Sequence, residues 1–127
     1  MPKEMARSKR TAVTIYGIKN CSTMAKAFAW LGAQGVAYDF HDYKKAGVTT
    51  AQLGSWCDAA GWQTVINRAG MTFRKLDDAD KEALTQDKAI ALMVGQPSMI
   101  KRPILEAAGK LEIGFKPERY AALFGAG

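Results

Sequence analysis

TIYGIKNCSTMAK, residues 14–26, joins a β-branched, apolar run to a helix-forming run and places Cys21 at the junction. The first N–H groups of a helix lack intrahelical partners and carry roughly half a positive charge, which favours a thiolate over a thiol. The thiolate is the reactive form of cysteine. We therefore predict a nucleophilic or redox-active Cys21; the alternative is a small buried residue that merely ends a strand.

A strand is predicted on each side of this helix. Residues 12–16 have the composition of a strand, and the run from Ser22 to Gly35 carries apolar residues at helical spacing. Residues 37–43 alternate apolar and polar side chains, which indicates a second, half-buried strand. Because the connections on both sides of the helix are short, we expect the strands to pair in parallel through a right-handed crossover.

The middle of the chain is predicted to be helical. Thr49 or Thr50 is a suitable cap for a helix that runs to about Ala60, where Gly61 stops it. From there, short helical pieces separated by charged breaks continue. We interpret residues 62–95 as a helical subdomain inserted into the fold.

The last part of the chain predicts a hairpin and a closing helix. Residues 98–106 and 111–115 are extended runs on either side of a turn at 108–110, and Pro117 opens a helix through Phe124. The whole order predicts an α/β fold of the thioredoxin-like class. This fold has a four-stranded mixed sheet flanked by helices, and it places the cysteine where such proteins keep an active thiol.

Composition and charge indicate one ordinary domain. The 127 residues are 48% hydrophobic and 24% charged, and the formal net charge is +6. Half of that charge comes from the first ten residues, so we expect a flexible basic tail over 1–11 and a single domain over 12–127. No aromatic and basic residues alternate in a stripe, so we do not expect nucleic acid as a partner.

The sequence offers few metal ligands and no membrane anchor. His41 is the single histidine, and Cys21 and Cys57 lie far apart, so we expect no metal site. No apolar run approaches the about 20 residues that a membrane span needs. The basic start is followed by an interrupted apolar stretch without a cleavage site, which is a poor signal peptide. We expect a cytoplasmic protein.

Three motifs together resemble the arsenate reductase (ArsC) family, and within it the YffB-type branch. They are YGIKNC at 16–21, NRAGMTFRKL at 67–76 and IKRPI at 100–104. The resemblance covers about residues 12–124, and Spx-type transcription regulators are related to the same family. It implies a thioredoxin-like fold whose cysteine after the first strand attacks an oxyanion or a disulfide, usually with glutathione as the reductant.

The resemblance implies three catalytic residues: Cys21 as the nucleophile, Arg102, and Arg68 in the helical insert. It also implies a cis peptide bond between Arg102 and Pro103. The Arg102 guanidinium would stabilise the thiolate and bind an anionic group bidentately. A surface arginine beside a turn proline is the alternative interpretation of Arg102.

The residues expected to bind glutathione flank the thiol and the proline: Lys19, Asn20, Ser22, Lys101 and Pro103. Lys19 would add positive potential or contact a glutathione carboxylate, while Asn20 and Ser22 would cap the helix. A cis bond at Pro103 would leave a backbone edge free to pair with the extended peptide of glutathione.

A single thiol is expected to act at this site. Met24 occupies the position of the second cysteine in a C-x-x-C pair, and Cys57 is expected to be buried and inert on the inner face of a helix. A monothiol mechanism needs an external thiol, and glutathione is the natural one. We expect a monomer whose partners are glutathione, glutaredoxin and a small oxidised thiol or oxyanion.

Three functions follow from this resemblance. The first is a glutathione-dependent thiol reductase that uses Cys21. The second is an arsenate reductase, although Asn67 stands where those enzymes place the middle arginine and Lys116 falls near their third. The third is an Spx-like regulator that binds transcription machinery without turnover, although the missing second cysteine removes the redox switch typical of that group.

Overall fold

A computed structural model describes residues 13–124 in two compact units. Among the described residues, the sheet unit comprises 13–42 and 102–124, and the helical unit is Tyr43–Lys101. The helical unit therefore reaches beyond the predicted insert at 62–95. The predicted tail over 1–11 lies outside the described residues.

The sheet unit contains a four-stranded mixed sheet in the order β2-β1-β3-β4. Its strands are β1 Val13–Gly17, β2 Asp39–Asp42, β3 Ile104–Ala107 and β4 Lys110–Ile113. β1 pairs in parallel with β2 and antiparallel with β3, and β3 pairs antiparallel with β4. This topology confirms the predicted thioredoxin-like class and the parallel pairing of the first two strands.

The β3–β4 hairpin turns through two residues with positive φ angles, Ala108 at 49° and Gly109 at 81°. They connect Ala107 to Lys110, which face each other across the ladder. Two central residues of positive φ are the signature of the hairpin turn whose twist matches that of its strands. The predicted turn is therefore confirmed at Ala108 and Gly109, whereas Lys110, which was predicted in the turn, opens β4.

Two helices belong to the sheet unit, α1 Ser22–Ala33 and α8 Pro117–Phe124. α1 stops before the predicted end at Gly35, which has a left-handed φ of 69° that a helix cannot contain. Apolar side chains at helical spacing turn one face of α1 to the core. The core residues are Val13, Ile15, Met24, Ala27, Leu31, Leu105, Ala107 and Tyr120.

The helical unit consists of short helices. They are α2 Tyr43–Ala46, α3 Thr50–Ala60, α4 Trp62–Val65, α5 Met71–Arg74, α6 Asp78–Lys81, α7 Gln86–Gly95 and a 3₁₀ turn at Pro97–Met99. α3 begins as predicted, because Thr49 and Gln52 form a reciprocal capping box. It ends at Gly61, whose φ is 89°.

Two further element boundaries differ from the prediction. The second strand was predicted over 37–43, but Tyr43 opens α2; its fully buried hydroxyl donates a 2.9 Å hydrogen bond to the carbonyl of Ile100 within the helical unit. Ser98 was predicted in an extended run. It lies in the 3₁₀ turn, where Met99 N–H donates to the carbonyl of Gln96.

Candidate functional site

Cys21 occupies the N-cap position of α1. β1 ends at Gly17, a short loop follows, and Cys21 adopts extended backbone angles, φ −146° and ψ 129°. Its carbonyl already accepts the first helical hydrogen bond, 3.0 Å from Ala25 N. The half-exposed thiol therefore lies at a helix N-terminus, as the sequence predicts.

The prediction that Asn20 or Ser22 caps α1 is wrong. The cap position belongs to Cys21, and only a side chain at that position reaches the N–H groups of the second and third helical residues. Asn20 stands one residue too early and Ser22 one too late, and both side chains are exposed. The sulfur makes no capping hydrogen bond of strict geometry, but the N–H groups of Thr23 and Met24 face it.

Arg102 is brought to Cys21 by the register of two antiparallel strands. Tyr16 in β1 faces Ile104 in β3, so the residues just before Ile104 lie beside the loop that leads from β1 to the thiol. The peptide bond between Arg102 and Pro103 is cis, as the resemblance implies. Arg102 is half-buried, and its side chain hydrogen-bonds the sulfur of Cys21.

The surroundings of Cys21 favour its thiolate form. Burial alone would raise the pKa of the thiol, because it disfavours the charged form. The Met24 N–H, the Arg102 side chain and the Thr23 N–H outweigh this effect by hydrogen bonding to the sulfur, and the Arg102 charge adds to them. The pKa of Cys21 is therefore below its ordinary value.

Cys57 has the opposite environment. It lies on the inner face of α3 with a side chain only 2% exposed. Burial and the nearby Asp58 carboxylate raise the pKa of its thiol. Cys57 is therefore held as the neutral, unreactive thiol.

The remaining predicted site residues are placed as follows. Lys19 is exposed in the loop before Cys21. Pro103 is buried, and its carbonyl accepts a 2.8 Å hydrogen bond from Gly114 N. Lys101 and Arg68 belong to the helical unit. The backbone N–H of Lys101 donates a hydrogen bond to the carbonyl of Val65. The exposed guanidinium of Arg68 lies over the ring of Trp62, 5.8 Å from its centroid. The roles of Arg68 and Lys101 toward the thiol stay predictions.

Sequence reasoning did not identify the two backbone N–H groups that face the sulfur, those of Thr23 and Met24. The signal was present, because a helix that begins at Ser22 makes these residues its second and third positions. Buried Gly17 lies against the side chain of Met24, and this contact was not predicted either. No local pattern encodes that contact.

Residues 13–124 lack two further kinds of feature. No helix there combines the length and the apolar character needed to cross a membrane. The same residues bring together no group of three or more histidine, cysteine, aspartate or glutamate side chains that would hold a metal ion.

Comparison with known proteins gives a consistent family. The model of the ArsC family matches residues 16–123. A solved structure named YffB (PA3664) protein is 59% identical, with a TM-score of 0.85 over 87% of this chain and 96% of its own. An arsenate reductase (ArsC) related protein from Brucella melitensis is 50% identical, with a TM-score of 0.71 over 90% of this chain and 95% of its own. The global transcriptional regulator Spx of Streptococcus pyogenes is 29% identical over 87% of this chain and 83% of its length.

Proposed function

This chain belongs to the ArsC family, and from that premise we propose that it is a glutathione-dependent thiol reductase with Cys21 as its nucleophile. The observation that carries the proposal is the Cys21 thiol at the N-terminus of α1, hydrogen-bonded by Arg102 and with a lowered pKa. A lowered pKa increases the fraction of thiolate, which is the form of cysteine that attacks sulfur.

The proposed reaction is two thiol–disulfide exchanges. The Cys21 thiolate attacks the glutathione sulfur of a mixed disulfide between a substrate thiol and glutathione, and the substrate leaves as its thiolate. The thiolate of a second glutathione then attacks the disulfide on Cys21, which releases oxidised glutathione and restores the Cys21 thiolate. In total, the mixed disulfide and one free glutathione become the substrate thiol and oxidised glutathione, so the free glutathione is the reductant and the number of disulfide bonds is unchanged.

Arg102 has two tasks in this proposal. Its positive charge favours the ionised form of the Cys21 sulfur before the attack, and once the mixed disulfide has formed its guanidinium binds an anionic group of the substrate or of glutathione. Lys19 in the exposed loop is a candidate partner for a glutathione carboxylate. Arg68 is a further candidate for anion binding.

A coupled assay tests this function. Reduced glutathione, a small glutathionylated thiol, glutathione reductase and NADPH are mixed with the protein, and NADPH oxidation is followed. We expect turnover by the wild type and by Cys57→Ser, and none by Cys21→Ser. Turnover that survives in Cys21→Ser, or a wild type with no activity above the uncatalysed rate, contradicts the proposal.

Arsenate reduction is the second candidate, because the Brucella melitensis relative is named an arsenate reductase related protein. The same Cys21 thiolate would displace a hydroxyl group of arsenate as water and form a sulfur–arsenic bond. One glutathione would attack the Cys21 sulfur and release arsenite, and a second would restore the Cys21 thiolate and leave as oxidised glutathione. Replacing the disulfide by arsenate in the coupled assay distinguishes the two substrates. Oxidation of NADPH that depends on arsenate and on Cys21 supports this candidate, and an unchanged baseline excludes it.

The similarity to Spx favours a different class of function, a regulator of transcription. Such a protein would bind RNA polymerase without turnover. Sedimentation of the purified chain with bacterial RNA polymerase tests this directly. A complex that forms equally well with Cys21→Ser, in a protein inactive in both assays, favours the regulator over the reductase.

A further inference from the structure

Gly17, the last residue of β1, is a glycine for reasons of space. Its φ is not among the positive values that only glycine adopts easily. A Cβ atom built on Gly17 would lie 2.3 Å from Met24 Sδ and 2.5 Å from Met24 Cε. A side chain at position 17 would collide with Met24. The Met24 thioether therefore packs against the Gly17 backbone, in the space that a side chain would fill, and we call this space the seat of Met24.

Met24 has little freedom to leave this seat. Its side chain is fully buried among core residues of the sheet unit, including Ile15 of β1 and Leu31 of α1. Close packing of this kind transmits displacements, because interiors contain few voids into which a side chain can relax. The contact therefore joins the end of β1 to the first turn of α1, and the loop between these two points carries Cys21.

The backbone of the same residue faces the thiol. Met24 is the third residue of α1, so its N–H points toward the side chain of the N-cap residue, and it faces the Cys21 sulfur. A shift of the first turn of α1 along or around its axis would move this N–H away from the sulfur. The core holds the Met24 side chain, and the Met24 N–H faces the sulfur. A change in core packing would therefore change the ionisation of the Cys21 thiol.

We propose that Met24 is a positioning residue for Cys21, in which the thioether seated on Gly17 holds the first helical turn so that the Met24 N–H faces the sulfur. The inference deepens the proposed function, since it rests on Cys21 acting as the nucleophile. It also explains a difference from C-x-x-C proteins. Those proteins have a second cysteine three residues after the first. In this chain Met24 stands at that position and sets the geometry of the single thiol.

The test measures how the reactivity of Cys21 depends on pH. All variants carry Cys57→Ser, and the rate of alkylation by iodoacetamide is recorded from about pH 4 to 10, which brackets the ordinary thiol pKa. We expect Met24→Ala to move the inflection upward, and Gly17→Ala to move it in the same direction. Leu31→Ala is the matched control, because it removes an equally buried side chain from the same helix without touching the seat. Its inflection should stay in place.

The double variant Gly17→Ala/Met24→Ala decides whether the two residues act together. Once the thioether is gone, a methyl group at position 17 has room, so Gly17→Ala should have no further effect in the Met24→Ala background. Additive shifts, or an inflection that Met24→Ala leaves unchanged, overturn the proposal. If Met24→Ala fails to fold, Met24→Leu serves instead, since it keeps the volume but alters the shape at Gly17.

This result is separable from the outcome of the proposed function. Alkylation reports the thiolate without any glutathione or turnover. If Cys21→Ser abolishes turnover while the inflection ignores Met24, the reductase stands and the positioning role fails. If the inflection follows Met24 but no glutathione-dependent turnover exists, the positioning role stands and the proposed function fails.

Discussion

The hydroxyl of Tyr16 donates a 2.7 Å hydrogen bond to the Glu106 carboxylate, which ties β1 to β3 by side chains as well as by the backbone ladder. These two strands lead to the two halves of the candidate site. β1 runs into the loop that carries Cys21, and β3 is preceded by Arg102. The hydrogen bond between Tyr16 and Glu106 therefore stabilises the β1–β3 pairing that brings the Arg102 guanidinium to the Cys21 sulfur, and it does so at a distance from the thiol.

We predict that Tyr16→Phe lowers the free energy of unfolding by about 1–2 kcal/mol, because a half-buried carboxylate loses a hydrogen-bond donor. Urea denaturation measures the change. Tyr38→Phe is the control, since the ring of Tyr38 stacks on Phe28 and that contact survives the substitution. Equal stabilities for the two variants would show that the Tyr16 hydroxyl contributes nothing net.

We predict that one thiol of the folded protein reacts with a thiol reagent at neutral pH. Cys21 is half-exposed with a lowered pKa, whereas Cys57 is buried with a raised one. Mass spectrometry after brief alkylation should find a single adduct on Cys21 in the wild type and none in Cys21→Ser. Denatured wild type should carry two adducts, and rapid native labelling of Cys57 would contradict the burial described here.

Arg102 is expected to lower the pKa of Cys21 by hydrogen bonding and by charge. Arg102→Ala should therefore raise the alkylation inflection, and Arg102→Lys should raise it less, because a lysine keeps the charge without the planar fork. Lys110→Ala, which removes an exposed cation at the far end of β3 and β4, should leave the inflection unchanged. An equally large shift of the inflection in Lys110→Ala would indicate that the loss of any positive charge has this effect, and that contact between Arg102 and the sulfur is not required.

The lowered pKa of Cys21 also predicts how stability depends on pH. Between the folded pKa and the ordinary value of about 8.5, the unfolded chain binds more protons, so stability rises with pH across this window. The contribution is complete above the ordinary value and is lost as the pH falls through the folded pKa. Comparing Cys57→Ser with Cys21→Ser/Cys57→Ser by urea denaturation isolates it, because the raised pKa of Cys57 acts in the opposite sense. A stability difference that does not change with pH would refute the prediction.

Thr49 is expected to stabilise the start of α3. Its hydroxyl accepts a 3.0 Å hydrogen bond from Gln52 N, and the Gln52 side chain accepts one from Thr49 N in return. Thr49→Ala should cost about 1 kcal/mol of stability, whereas Thr50→Ala, at the first helical position, should change it little. Thermal unfolding of the two variants makes the comparison. A larger loss in Thr50→Ala would show that the cap lies one residue later.

Elements with local signals were predictable. Thr49 as a cap, Gly61 as a stop and the turn at Ala108 and Gly109 depend on hydrogen bonds and backbone angles within a few residues. Element boundaries that depend on residues far away in the chain were not predictable. Tyr43 lies outside the second strand, and its hydroxyl donates a hydrogen bond to the carbonyl of Ile100, far away in the chain.

The sequence by itself determined that one cysteine, Cys21, begins a helix after a strand, because periodicity and local composition encode where a helix starts. That position alone predicts a reactive thiol. Only the tertiary structure decided what surrounds the sulfur. Arg102 reaches it through the register of β1 against β3, and Met24 is held over Gly17 by core packing. Both contacts join residues whose proximity depends on how strands pair and side chains pack, which no local run of residues specifies.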